Sequence, residues 1–210
     1  MSLEAHRIGF RYGQEPWILR GFDFDLHPGE VVGLAGPSGC GKSTLGQLLA
    51  GYRQPLEGSV TLDDASVSSS GYRPAQLVFQ HPEKAVNPRW MMAKTLREGW
   101  EPGKEVLAAL GVEPDWLNRW PHELSGGELQ RFCIARALGP ATRYLIADEM
   151  TTMLDAITQA QLWHAVLDIA AQRGMGMLII SHDRHLLERL CSRIVDAAAF
   201  MPLSSANESV

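Results

Sequence analysis

The stretch GPSGCGKST, Gly36 to Thr44, limits the fold more than any other part of the chain. It follows the apolar run VVGLA and precedes STLGQLLAG, whose spacing predicts an amphipathic helix closed by Gly51. A glycine-rich turn between a buried strand and a helix matches G-x-x-x-x-G-K-[ST], in which backbone N–H groups curl around phosphate oxygens at a helix N-terminus. Gly36, Pro37, Ser38, Gly39, Cys40, Gly41, Lys42, Ser43 and Thr44 are therefore the expected phosphate-binding residues. Lys42 is expected to reach the β- and γ-phosphates of a nucleotide. Ser43 offers a hydroxyl to Mg²⁺, a cation that prefers oxygen ligands.

The rest of the chain fits an α/β protein of the P-loop NTPase kind. Short alternating strands are predicted in HRIGFRY and WILRGFDFDL, and a return strand in EGSVTLDD, giving an N-terminal antiparallel β subdomain. Residues 65 to 75 read as a loop, and QLVFQ as a short buried strand. Residues about 81–140, rich in Pro and Trp at their start, read as a helical subdomain inserted in the α/β core. Trp90, Trp100, Trp116 and Trp120 are expected mostly to fill its small core. From Ser125 onward helices alternate with the apolar strands RYLIAD, MGMLIIS and SRIVDA, which implies a parallel sheet. One domain over 1–210 follows, with only the tail PLSSANESV read as disordered.

Composition removes several functions. A net charge of −5 argues against a general nucleic-acid binder, so no nucleic acid is expected among the partners. No apolar run approaches a membrane span, and MSLEAHRIGF lacks a signal-peptide layout, which places the chain in the cytoplasm. Cys40, Cys133 and Cys191 form no CxxC pair and are read as reduced thiols.

Downstream text then separates the phosphate-loop classes. LSGGELQ, Leu124 to Gln130, resembles the signature of the ATP-binding cassette (ABC) ATPases, and the resemblance extends over nearly the whole chain with each motif in order. It implies ATP and Mg²⁺ as ligands and a head-to-tail pairing with a second ABC ATPase subunit, identical or not. In that pairing Ser125, Gly126, Gly127 and Glu128 face a γ-phosphate bound on the partner. Ser125 and Glu128 also have capping-box spacing, and both readings hold together. The resemblance implies that Asp148 supports Mg²⁺ and that Glu149 orients and deprotonates the attacking water. Gln80 matches the glutamine that touches Mg²⁺ or that water, and His182 the histidine that holds the γ-phosphate. Asp155 matches the loop that runs along the dimer interface, although Met150, Thr152 and Met153 depart from the usual Pro and small residues. Tyr12, 24 positions before Gly36, matches the aromatic that stacks on adenine.

NPRW, after Gln80, resembles the ATPase subunits of nickel, dipeptide and oligopeptide importers. A transmembrane permease partner and a place on the inner face of the cell membrane are implied. Such importers usually continue into a Gly-Glu hairpin and a further C-terminal region, which this sequence, ending at Val210, does not contain. Two other readings stay open: an ATPase of a cytosolic complex such as phosphonate breakdown machinery, and a nucleotide-switched regulator. Glu149 counts against the second. DNA-repair cassettes need long heptad insertions, and only about 44 residues separate Gln80 from Ser125.

Overall fold

Two sheets of opposite character divide the work of the chain. A computed structural model describes residues 2–63, 65–66 and 72–200. The N-terminal sheet is antiparallel, built from β1 (Leu3–Phe10), β2 (Leu19–Leu26), β4 (Glu57–Leu62) and β5 (Ala65–Ser66) in the order β2-β1-β4-β5. Alternation drives it: in β2 Leu19, Phe22, Phe24 and Leu26 are buried while the residues between them are exposed, as one core-facing side requires. Part of the segment read as a loop over 65 to 75 is strand, because Ala65 and Ser66 pair with Leu62 and Thr61. Residues 67–71 of that loop and the tail PLSSANESV lie outside the described residues.

The second sheet is parallel. Its strands are β3 (Val31–Ala35), β6 (Ala75–Val78), β7 (Tyr144–Asp148), β8 (Gly176–Ile180) and β9 (Arg193–Asp196), in the order β6-β7-β8-β3-β9. β7 and β8 are buried throughout. Helices on both faces account for that, and explain why these strands read as continuous apolar runs. The order puts β8 between β7 and β3, with β6 beyond β7, so the chain leaves four neighbouring strands at one C-terminal edge. In open α/β sheets that edge is where ligands bind.

Between β6 and β7 the chain is helical: α2 (Met92–Leu96), α3 (Lys104–Ala109) and α4 (Gly126–Ala137), joined by 3₁₀ turns at Pro82–Lys84, Pro114–Asn118 and Pro121–Glu123. Each turn starts on a proline, whose fixed φ and missing N–H suit a first helical position. Of the four tryptophans expected to fill this region, Trp100 and Trp116 pack against the core. Trp90 instead lies under the Lys94 ammonium, 4.3 Å from its ring centroid, and Trp120 is exposed. Their polar N–H ends favour half-buried places; Trp100 Nε1 donates to the carbonyls of Ala135 (3.1 Å) and Arg136 (3.0 Å). Among the described residues no helix is long and apolar enough to cross a membrane.

Candidate nucleotide-binding site

The loop after β3 folds onto its own lysine. α1 (Lys42–Leu49) starts at Gly41, which takes φ 101° and approaches Ile18 so closely that a Cβ there would lie 2.3 Å from Ile18 Cγ2. Only glycine meets both conditions at this turn. Lys42, 5% exposed, donates from Nζ to the carbonyls of Gly36 and Pro37, both at 2.8 Å, with Cys40 Sγ at 3.9 Å. These contacts hold an ammonium inside the loop's curve. The first-turn N–H groups of α1 have no partners within the helix, and the helix dipole adds positive character at the same end. The arrangement is complementary to a polyphosphate.

A cleft of about 430 Å³ opens beside this loop, lined among others by Tyr12, Ile18, Lys42, Ser43, Gln80 and Glu149. The Tyr12 hydroxyl lies 3.3 Å from Thr44 Oγ1, and the residue is 40% exposed.

The acidic pair at the end of β7 splits into two environments. Asp148 is 5% exposed and its Oδ1 is buried without a hydrogen-bond partner. Burial pushes its carboxyl above the ordinary aspartate value, against the lowering effect of the Ser43 hydroxyl. A buried carboxylate oxygen that lacks a donor, next to a serine hydroxyl at a phosphate loop, fits a hydrated Mg²⁺. Ser43 and Asp148 are the residues that would hold it, and the ion would supply positive charge to phosphate oxygens. Glu149 turns the other way. Its backbone has φ 46°, unusual for a residue with a side chain, and its N–H donates to Ile180 O at 3.0 Å. The turned backbone brings its carboxylate between two neighbours: Gln80 Nε2 donates to Oε2 at 3.0 Å, and His182 Nδ1 lies 3.2 Å from Oε1. Residues 80, 149 and 182, each just past the end of a different strand, thus meet around one carboxylate.

The remaining sequence candidates lie outside the phosphate-loop cleft. Ser125 caps α4: its Oγ accepts from Glu128 N (3.3 Å), while Glu128 carboxylate accepts from Ser125 N (2.6 Å). The Ser125 N–H holds the Glu128 carboxyl below the usual range. Gly126 and Gly127 follow, so close to the next loop that a Cβ on Gly127 would lie 2.5 Å from Leu154 Cδ2. Asp155 caps α5 (Ala156–Arg173), accepting from the N–H groups of Ile157 and Thr158 and from Thr158 Oγ1 at 2.6 Å. Its carboxylate is committed to the helix and is not among the residues lining the cleft.

Sequence reasoning missed a second set of contacts. Gln130 Nε2 donates to Phe79 O (3.2 Å), tying the helix capped by Ser125 to the residue before Gln80. Thr151 Oγ1 accepts from both Gln159 Nε2 (2.8 Å) and Trp163 Nε1 (3.1 Å), which fixes the segment after Glu149 onto α5. The i, i+4 spacing of Gln159 and Trp163 was the available signal, since it puts both on one helix face.

Fold and site together define a P-loop nucleotide-binding protein of the α/β class. The family model described as ABC transporter matches residues 19–152, and the chain belongs to that family. YkfD of Bacillus subtilis (strain 168), named as an oligopeptide transport ATP-binding protein, is 36% identical in an alignment 194 positions long that covers 83% of this chain and 59% of YkfD. The nickel import ATP-binding protein NikE of Pseudomonas putida is 34% identical over 220 residues, covering 92% of this chain and 81% of NikE. The chain thus spans about three fifths of YkfD. Among solved structures it is similar to MJ0796, a bacterial ABC transporter cassette, with a TM-score of 0.78 and 25% identity over 92% of this chain and 93% of that one.

Proposed function

We propose that the chain binds ATP with Mg²⁺ and hydrolyses it as the cassette subunit of an importer for nickel, a peptide or a similar small solute. The observation that carries this reading is the Glu149 carboxylate held between Gln80 and His182 beside the Lys42 loop. Lys42 exchanges its two loop carbonyls for phosphate oxygens. Glu149 takes the proton of a water aligned on the γ-phosphorus, Gln80 orients that water, and His182 steadies the transferred group. Ser125, Gly126, Gly127 and Glu128 act on nucleotide held by a second cassette, and Asp155 holds the neighbouring loop at that junction. NikE's name supports the importer class, and YkfD's name supports a transport role.

Residues about 81–140 act in this reading as an inserted helical subdomain that meets a membrane permease on the inner face of the cell membrane. A groove of about 540 Å³ between Tyr52, Phe79, Lys84 and Arg136 supports it as the docking place. Co-purification of an untagged permease with the tagged chain tests the proposal. Recovery of an integral membrane partner and ATPase activity that rises with it is expected; a chain that hydrolyses ATP but brings down only soluble proteins would contradict the importer reading.

A further inference from the structure

The base platform has a support that no motif announces. Tyr12 stands on three contacts: its hydroxyl near Thr44 Oγ1, an edge-to-face contact with Phe10 (centroids 5.1 Å apart at 89°), and the Arg53 guanidinium 4.8 Å from its ring centroid. Arg53 is itself placed. Its Nε donates to Gln47 Oε1 at 2.6 Å and its backbone N–H to Gln47 O at 3.3 Å, so the side chain is strapped along α1. Tyr12 lines the phosphate-loop cleft, whereas Phe10 and Arg53 do not. The cation therefore lies against the ring without lining the cleft.

We propose that Arg53 is a positioning residue for recognition of the nucleotide base, holding the Tyr12 ring against rotation so that it stays in the wall of the cleft. The inference rests on the ATP reading above. Without Arg53 a partly exposed tyrosine keeps only its Phe10 and Thr44 contacts and changes rotamer more readily, and each such change removes the surface on which a base stacks. A guanidinium against the ring restrains it through attraction to the π electrons. Because Arg53 is anchored to Gln47 on α1, the helix that begins at the phosphate loop also sets how far the base platform stands from the phosphates. Loss of Arg53 should therefore weaken the contribution of the base and leave that of the phosphates alone.

Equilibrium binding of ATP and of inorganic tripolyphosphate to the full chain and to Arg53→Ala separates these contributions. ATP should bind about two- to fivefold more weakly to the variant, the scale of one exposed cation–π contact, with tripolyphosphate unchanged. Arg53→Lys keeps the charge without the Nε donor to Gln47 and should recover part of the loss. In a Tyr12→Ala background Arg53→Ala should add nothing. An equal fall for both ligands would mean that the guanidinium acts on the phosphates. Tighter ATP binding would mean that it competes with the base, and unchanged ATP binding that it is idle; each overturns the proposal. If the wild-type chain binds neither ligand, the ATP reading fails and the inference with it.

Discussion

The phosphate-loop edge and the segment around Ser125 and Asp155 use similar residues in opposite ways. At the edge, polar groups from separate strands converge: Lys42 turns into its own loop, Glu149 is shared by Gln80 and His182, and Asp148 keeps a buried oxygen without a donor. Around Ser125 and Asp155 each polar group is satisfied by its own helix start, and the Ser125 and Asp155 side chains stay exposed. The first region is poised for a ligand held within this chain. The second is finished as local structure and, in the proposed reading, meets only a nucleotide that another molecule brings to it.

Changes in the first region should remove nucleotide binding. Lys42→Ala deletes the ammonium from the loop and should lower ATP affinity by roughly two orders of magnitude, given the strength of charge-assisted contacts to phosphate. Isothermal calorimetry reads it directly, and affinity within a few-fold of wild type would break the contrast. Ser125→Arg sharpens it from the other side. A cation at the start of α4 opposes the helix dipole and blocks the surface, so turnover should be lost while the monomer binds ATP as before. A matching loss of affinity in monomers would place Ser125 in the chain's own site.

Thiol chemistry discriminates the regions less strongly. Cys40 Sγ lies 3.9 Å from Lys42 Nζ inside the loop, so a maleimide adduct there should push Lys42 out of place. Burial pushes the Cys133 thiol up to about 11 and that of Cys191 up to about 12, so both stay protonated and slow to react near neutral pH. Labelling should therefore abolish ATPase activity, with protection by ATP·Mg²⁺ and resistance in Cys40→Ala. Equal sensitivity in that variant would acquit Cys40.

The smallest effect concerns pH. Glu128 has its carboxyl lowered in the fold, so its capping contribution is present above the ordinary glutamate value of 4.5 and is lost as pH falls through the depressed one. Faster hydrogen exchange in the first turn of α4 is expected below about pH 4.5, absent in Glu128→Gln. The phosphate-loop helix, which starts at Gly41 without a side-chain cap, should show no matching change.

Much of this could be read from the chain. The phosphate loop, the capping box at Ser125 and the parallel strands all follow local rules of spacing and periodicity, and β3, β7 and β8 lie where their apolar runs predict. The two-residue β5 escaped because a strand so short has no periodicity of its own and exists through its pairing with β4. Trp90 and Trp120 escaped because an aromatic residue's burial depends on neighbours distant in sequence. The clasp of Glu149 by residues 69 and 33 positions away depends on strand order, and the contact between Arg53 and Tyr12 on how the segment after α1 meets the end of β1.

Glu149→Gln tests the central claim most directly, because it keeps the size and shape of the side chain and removes only the carboxylate's charge and basicity. ATP hydrolysis and ATP affinity should be measured together on the purified chain, with size-exclusion chromatography in ATP alongside. Turnover should fall by about 100-fold or more with affinity little changed, and the variant should elute as an ATP-held pair. A variant that stays monomeric in ATP and hydrolyses at the wild-type rate would show that the carboxylate between Gln80 and His182 is not the base.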